Sequence, residues 1–372
     1  MEVVVGSTLL RASVFPATDV RGQDHLVIAV KGAWSLPKAR QRPRPIEPTP
    51  LLSADVYYGE PGLSAMRCSH DLARFKPACD ILFDACAHAP EGRAVRALGV
   101  RAQVGGWSKQ LKVVGARIWK KALMGYDTSA PQAFTSMPLH YGFAFGGDRV
   151  YRGAQDQMLT EVYASNPVGI GWGGSHTLAQ VADQPAPCLE DLSDAVTRPD
   201  GKHKAMALNP IGAHWPERQR FGGTYDAQWR AHVFPFLPED FDERFHQAAP
   251  ADQQVPFLQG GEAVQLANLV QGEPQVQFHL PALNKLQVRV LRKDYSIEVP
   301  AMNADTLFFE TEAKRFSVVW RASVPIRRRI QEFDTIAVGP VDEQWWAARS
   351  LGLADGCGGC NQPIDFAAEE LA

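Results

Sequence analysis

Two cysteines near the C-terminus have the spacing of a metal site or a redox pair. Cys357 and Cys360 are separated by two glycines, as in half of a tetrahedral zinc site or in a dithiol. A zinc site needs four ligands, and neither a second CxxC nor an HxxxH motif follows in the sequence. We therefore predict no bound metal and no cofactor. The alternative chemistry is reversible oxidation of two thiols in an exposed glycine-rich segment.

The sequence does not predict a nucleophilic centre. His70, His88 and His140 are scattered through strand-like segments, without a carboxylate at helical spacing. A histidine-activated nucleophile at Ser69 or Cys86 is therefore not indicated. The glycine pairs at 146–147 and 222–223 lack the spacing of a dinucleotide fingerprint or a phosphate loop, and they predict tight turns. We predict no catalytic residues and no enzymatic activity.

Charged residues cluster around a Phe-Lys-Pro turn. The group consists of His70, Asp71, Arg74, Lys76 and Asp80. Ions that leave water must be paired, and a proline turn fixes the backbone between them. We interpret Lys76, Asp80 and Lys109 as a structural ion-pair network, in preference to a binding site.

Short β-strands are the elements predicted to position these residues. Residues 81–89 form an apolar strand candidate, and 95–104 and 109–119 alternate apolar and polar residues on either side of a Gly-Gly turn, as expected for a hairpin. Alternating segments return after residue 262. The 31 glycines and 27 prolines are typical of a turn-rich chain with many short strands.

The predicted fold is mainly β, with two antiparallel, sandwich-like domains and few short helices. The N-terminal β domain spans residues 1–160 and the C-terminal one spans 240–345. A long irregular region, 161–239, connects them and contains a helix candidate around Thr224 to His232. Residues 346–372 are predicted to be a flexible tail that carries the CxxC pair.

Composition excludes several functional classes. The chain has 372 residues, of which 45% are hydrophobic and 21% are charged, as in soluble globular proteins. A net charge of -3 gives no basic field for nucleic acid, and no apolar run approaches the roughly 20 residues of a membrane span. The N-terminus carries Glu2 where a signal peptide carries positive charge. We expect a cytoplasmic protein with no nucleic-acid or membrane partner, whose six cysteines are reduced thiols.

Five long signatures resemble the bacterial family known as DUF2169. In order, they are SHDLARFKPACDILFDACAHAP, GWSKQLKVVGARIW, YGFAFGGD, SNPVGIGW and FGGTYDAQWRAHVFPFLPEDFDERFHQAAPADQQ. The resemblance extends from about Gly32 to Arg328, and it departs from the family pattern at Ala78-Cys79. It implies a gene beside type VI secretion effectors, PAAR spike-tip proteins and VgrG spike proteins. It further implies an adaptor or chaperone that stabilises an effector and helps to load it onto the spike.

Aromatic residues in the irregular region are the predicted contacts with such a partner. Tyrosine, tryptophan and arginine dominate the energetics of protein interfaces, and long loops adapt to a partner surface. The candidates are Trp172, Tyr225, Trp229, Arg230 and Phe236.

A carbohydrate-binding or glycan-active β protein is the alternative. Tryptophan-rich sheets with scattered carboxylates are also what glycan-active folds use. The carboxylates in question are Asp226, Glu239, Asp240 and Asp242. Their separation in space decides between the two functions, and the sequence does not give it.

Overall fold

The computed structural model describes residues 1–38 and 41–353, and it confirms the mainly β prediction. Strands account for 40% of the structure and helices for 11%. The described α-helices are α1 (Pro216–Gln219), α2 (Ala227–His232) and α3 (Glu343–Ser350), and short 3-10 helices make up the rest of the helical share. Helix α2 lies within the helix candidate identified from the sequence. The Cys357 and Cys360 pair lies outside the described residues.

The strands are numbered in chain order. The first ten are β1 (Glu2–Val5), β2 (Leu10–Thr18), β3 (Asp24–Ser35), β4 (Pro45–Ile46), β5 (Val56–Tyr57), β6 (Met66–Cys68), β7 (Cys79–Asp84), β8 (Cys86–His88), β9 (Ala97–Val104) and β10 (Trp107–Val114). The next nine are β11 (Arg117–Lys121), β12 (Tyr126–Thr128), β13 (Ser136–Pro138), β14 (Phe145–Gly146), β15 (Asp148–Arg152), β16 (Met158–Val162), β17 (Ile170–Gly171), β18 (Pro185–Ala186) and β19 (Leu189–Glu190). The last eight are β20 (Gln254–Val255), β21 (Ala263–Val270), β22 (Glu273–His279), β23 (Val288–Arg292), β24 (Ile297–Glu298), β25 (Asn303–Glu310), β26 (Arg315–Pro325) and β27 (Phe333–Val338).

The largest sheet combines strands from both ends of the chain. Its order is β2-β3-β26-β25-β7-β20, and β4 pairs with β3. Lys31 of β3 lies opposite Val319 of β26, and Leu307 of β25 lies beside Ile81 of β7. The β25–β7 pair is parallel, and the other pairs of this main sheet are antiparallel.

The segments 1–160 and 240–345, predicted as separate β domains, therefore share sheets. A second sheet, with order β19-β10-β9-β21-β22, also joins the two segments, because β9 pairs with β21. Alternation shows where strands are, but it carries no information about which distant strand each one pairs with. The hairpin predicted from residues 95–119 is present as β9 and β10, joined at Gly105-Gly106.

One face of the main sheet forms the hydrophobic core. Side chains alternate across a strand, so Ile81, Leu307 and Val318 point to the same side and are buried there. They pack against the inward face of the second sheet. Trp34 stacks on Phe316 at a ring distance of 5.6 Å in this core.

A third sheet closes the far end of the same core face. Its order is β1-β27-β23-β24, and β1 runs parallel to β27. Val290 and Ile336 of this sheet pack against Leu26 and Ile28 of the main sheet. The core face of β3 thus packs against two different sheets.

The middle of the chain is mostly irregular, and its short strands surround a small core of their own. Trp119, Phe145 and Val181 are fully buried there. Trp172 packs against this small core and is half-buried. Strands β15 and β16 form a separate two-stranded ribbon in this part of the chain.

Candidate functional site

The face of the main sheet opposite the core, which we call the polar face, holds the predicted Lys76 and Asp80 pair and other buried charges, beside an apolar group that includes Leu82 and Phe308. Lys76 Nζ lies 2.9 Å from Asp80 Oδ2 and 2.9 Å from Thr306 Oγ1. The two charged side chains are 2% and 0% exposed. Gln247 Nε2 and the Ala248 amide donate to the same carboxylate at 2.6 Å and 2.9 Å. The buried charge of Asp80 is thus fully compensated.

A second buried ion pair lies on this polar face. Arg321 Nε donates to Asp305 Oδ2 at 2.6 Å, and both side chains are 2% exposed. Arg321 Nη1 also donates to the carbonyls of Asp71 and Ala73, at 2.7 Å and 2.8 Å. The guanidinium therefore fixes the loop before Lys76 to the sheet.

The carboxylate of Asp71 makes a third attachment. It accepts from Lys31 Nζ at 3.1 Å and from the Leu52 amide at 2.8 Å. Lys31, Lys76 and Arg321 thus each have a carboxylate partner. The arrangement holds loops against a sheet, and it does not present a free acid or base to a substrate.

Two histidines beside these pairs are neutral at physiological pH. Burial lowers the pKa of His246 to about 3, and the nearby positive charge of Lys76 adds to the shift. Burial also lowers the pKa of His70, although Asp55 opposes the shift. The carboxylate nearest to His246 Nε2 is that of Glu243, at 3.6 Å, and it is already paired with Arg74.

Lys109 lies in a different network from Lys76 and Asp80. Its Nζ donates to Asp252 Oδ1 at 3.0 Å and to Gln253 Oε1 at 2.8 Å. Asp252 also accepts from Lys204 at 2.8 Å. Burial lowers the pKa of the Lys109 ammonium. Lys76 and Asp80 thus pair with each other, while Lys109, predicted to share their network, pairs with Asp252.

Helix α2 and the turn after it carry an exposed aromatic cluster. Asp226 caps the helix by accepting from the Trp229 amide at 2.8 Å, and no residue of the helix is buried. Trp229 meets Tyr225 edge-on at 4.7 Å and Phe234 at 5.6 Å between ring centroids. Its indole Nε1 donates to the Phe236 carbonyl at 3.0 Å. We define the aromatic cluster as Tyr225, Trp229, Phe234 and Phe236.

Four of the five predicted contact residues lie together on this segment. Tyr225, Phe234 and Phe236 are 57%, 65% and 49% exposed, and Arg230 is exposed on the same helix. Trp172 lies apart, in the small core of the middle region. Sequence reasoning missed Phe234, although the Phe-Pro-Phe motif at 234–236 is the signal that identifies it.

Three of the four candidate glycan-active carboxylates make local hydrogen bonds, and the fourth, Glu239, is exposed. Asp226 is the α2 cap, and Asp240 accepts from the hydroxyl of Thr224 at 2.7 Å. Asp242 pairs with Arg244 at 2.6 Å and caps a short turn. Asp226, Asp240 and Asp242 therefore already stabilise their own loops.

The described thiols are poor nucleophiles. Cys68, Cys79, Cys86 and Cys188 are free cysteines. Burial raises the pKa of Cys68 to about 12 and that of Cys86 to about 11, so neither forms much thiolate at neutral pH. Among residues 1–38 and 41–353, no cluster of three or more metal-binding side chains occurs. No helix in these ranges is long and apolar enough to cross a membrane.

A protein-family model agrees with the resemblance found in the sequence. The model is described as "Uncharacterized protein conserved in bacteria (DUF2169)", and it matches residues 21–321. Neither a curated protein nor a solved structure matches the chain. The matched range includes the polar face of the main sheet and the whole aromatic cluster. The chain therefore belongs to the DUF2169 family.

Proposed function

We propose that this protein is a non-enzymatic adaptor that binds a secreted type VI effector in the cytoplasm and aids its loading onto the spike. The exposed aromatic cluster is the observation that carries the proposal. Its large rings lie outside all the sheets, and Trp229 meets the rings of Tyr225 and Phe234. Such rings are typical of interface hot spots, because they bury much apolar area at little cost in conformational entropy.

The scaffold behind the cluster supports the same function. Arg218, on α1, donates to the carbonyls of Ile211 and Phe245, which joins the segments on either side of the cluster. Glu243 is paired with Arg74 of the loop that lies on the main sheet. The aromatic segment is thus attached at its base and exposed at its end, an arrangement that limits the entropy lost on binding.

The proposed partner is a secreted effector, its PAAR spike-tip domain, or the VgrG spike. Support comes from the family resemblance, which links such chains to type VI secretion genes. An adaptor that binds only the folded effector also stabilises it by mass action. Loss of the adaptor is therefore expected to lower effector abundance as well as secretion.

Gene deletion and co-purification test the proposal. The adaptor gene is deleted in the native host, and the effector encoded beside it is quantified in cells and in the medium. We expect both quantities to fall, and to recover when the gene is restored. We also expect a stoichiometric complex when the two proteins are co-expressed. Unchanged effector levels and secretion, with turnover of a glycan by the purified protein, would replace the adaptor by the carbohydrate-active alternative.

A further inference from the structure

The turn between β2 and β3 separates the aromatic cluster from a loop of three consecutive arginines. On one side, the Phe236 ring faces Gly22, and its Cδ1 atom lies 3.5 Å from where a β-carbon on Gly22 would be. On the other side, Gln23 Nε2 donates to the Ile326 carbonyl at 2.8 Å, directly before the arginines. The aromatic cluster and residues 327–329 therefore flank the same turn.

The backbone of the arginine loop is fixed, while two of its guanidinium groups are free. The amides of Arg327 and Arg328 donate to the Glu332 carboxylate at 3.0 Å and 2.9 Å. Arg327 reaches Asp294 at 3.3 Å. Arg328 and Arg329 are exposed, and neither has a carboxylate partner among the described residues. Their positive charges are therefore available to a ligand.

Two further unpaired arginines border this surface. Arg21 lies at the tip of the β2–β3 turn, and Arg230 lies on α2 within the aromatic segment. Both are exposed and without a carboxylate partner in the part of the chain that the structure describes. The nearest acids in the turn, Asp19 and Asp24, accept from His25 and Thr18. Four exposed arginines without a carboxylate partner among the described residues thus border the aromatic segment, whose own exposed acids are Asp226, Glu239 and Asp240, in a chain whose net charge is -3.

We propose that this surface binds an acidic segment of the partner protein that also carries apolar anchors. The inference rests on the proposed function and specifies the chemistry of the partner. Arginine pairs with carboxylates through two parallel hydrogen bonds, while the anchors pack on the aromatic rings. A short acidic segment would contact only these arginines and would avoid the negative charge on the rest of the protein. A nucleic acid would extend beyond the arginines, and its phosphates would be repelled by a protein that is acidic overall, so a protein partner is favoured.

Peptide selection tests the chemistry directly. A library of short random peptides is selected on the full-length protein, and the selected peptides are measured on three variants. The first is the double substitution Arg328→Glu with Arg329→Glu, and the second is Trp229→Ala. The matched control is Arg42→Glu with Arg44→Glu, because these exposed arginines lie near the opposite end of β3.

We expect the selected peptides to combine Asp or Glu with large apolar residues. Their affinity should fall by about tenfold or more for the Arg328→Glu/Arg329→Glu variant and for Trp229→Ala. The affinity for the control variant should equal that for wild type. Binding should also weaken as salt rises. Unchanged melting temperatures in all three variants show that the surface, and not the fold, has been altered.

Several outcomes overturn the inference. These are selection of basic or uncharged peptides, selection of none, and equal binding by the 328/329 variant. Tighter binding of an oligonucleotide or of anionic vesicles, or self-association through this surface, also overturns it. If the neighbouring effector co-purifies equally with wild type and the 328/329 variant, the inference fails while the adaptor function stands. If no effector co-purifies with wild type, the adaptor function fails, and the peptide selection still decides the inference.

Discussion

Lys76 and Asp80 form a buried ion pair, with 2.9 Å between Nζ and Oδ2. Arg152 and Asp156 have the same four-residue spacing, but their side chains are 66% and 79% exposed. Equal spacing in sequence therefore gives two pairs in opposite environments. Water screens the exposed pair, whereas each buried charge depends on its partner.

We expect Lys76→Ala or Asp80→Ala to destabilise the fold by about 3–5 kcal/mol, because each leaves an uncompensated buried charge. Arg152→Ala is the matched control, and an exposed pair contributes only about 0–1 kcal/mol. Chemical denaturation of the three variants measures the free energy of unfolding. A Lys76→Ala variant with wild-type stability that no longer binds the effector would reverse our assignment and place Lys76 at the binding site.

Stability should fall as the pH is lowered from about 7 toward 4, in part because of His246. Its folded pKa of about 3 lies below the usual value for histidine, so the unfolded chain binds a proton that the folded chain does not. This single group contributes a slope of at most about 1.4 kcal/mol per pH unit. His246→Phe preserves a ring beside Phe245 and should flatten the pH dependence of unfolding. Identical pH profiles for His246→Phe and for the same change at the exposed His232 would contradict the expectation.

Trp229→Ala should separate binding from folding. The indole meets the rings of Tyr225 and Phe234 and donates to the Phe236 carbonyl, outside the sheets, so we expect a stability change of about 1 kcal/mol or less. Removing a hot-spot tryptophan typically costs about 2–4 kcal/mol of binding free energy, which is a loss in effector affinity of about 30-fold or more. Calorimetry with the purified effector measures the affinity. The control is Leu123→Ala, which removes a fully exposed apolar side chain at the β11–β12 turn; equal loss in both variants would argue against a specific site.

Lys109→Met should weaken the attachment of the turn at 251–253 and change the titration of Asp252. Burial on its own raises the pKa of Asp252, but Lys109 and Lys204 outweigh it, and the pKa is lowered. Without the Lys109 charge, the pKa of Asp252 should rise, and the variant should lose about 1–3 kcal/mol of stability. Carboxyl NMR titration follows the pKa. If the pKa of Asp252 stays the same, Lys204 alone is sufficient to hold the carboxylate charged.

Local features of the fold were predictable from the sequence, because they depend on neighbouring residues. The alternation of residues 95–104 and 109–119 with the Gly-Gly turn identifies the β9–β10 hairpin. Pairings such as β3 with β26 depend on side chains far apart in the chain. No local pattern contains that information. The sequence therefore predicts two β domains, whose shared sheets cannot be recognised from alternation.

The candidate site shows the same limit. Residues 225–236 are close in sequence, so composition indicated most of the aromatic cluster. Trp172 is a tryptophan like Trp229 of the cluster, but the small core of the middle region covers much of its ring. Arg328 and Arg329 flank the same turn as the cluster because β26 ends beside the β2–β3 turn. Burial, and contacts between residues far apart in sequence, are determined only when the sheet is assembled.

The pairing of β3 with β26 also sets when the protein can fold during synthesis. Lys31 is synthesised long before its partner strand residue Val319. A ribosome must therefore reach β26 before the centre of the main sheet forms, and until then β3 has an unpaired edge. Chains that stop short of β26 should aggregate or be degraded and should not accumulate as a smaller folded unit.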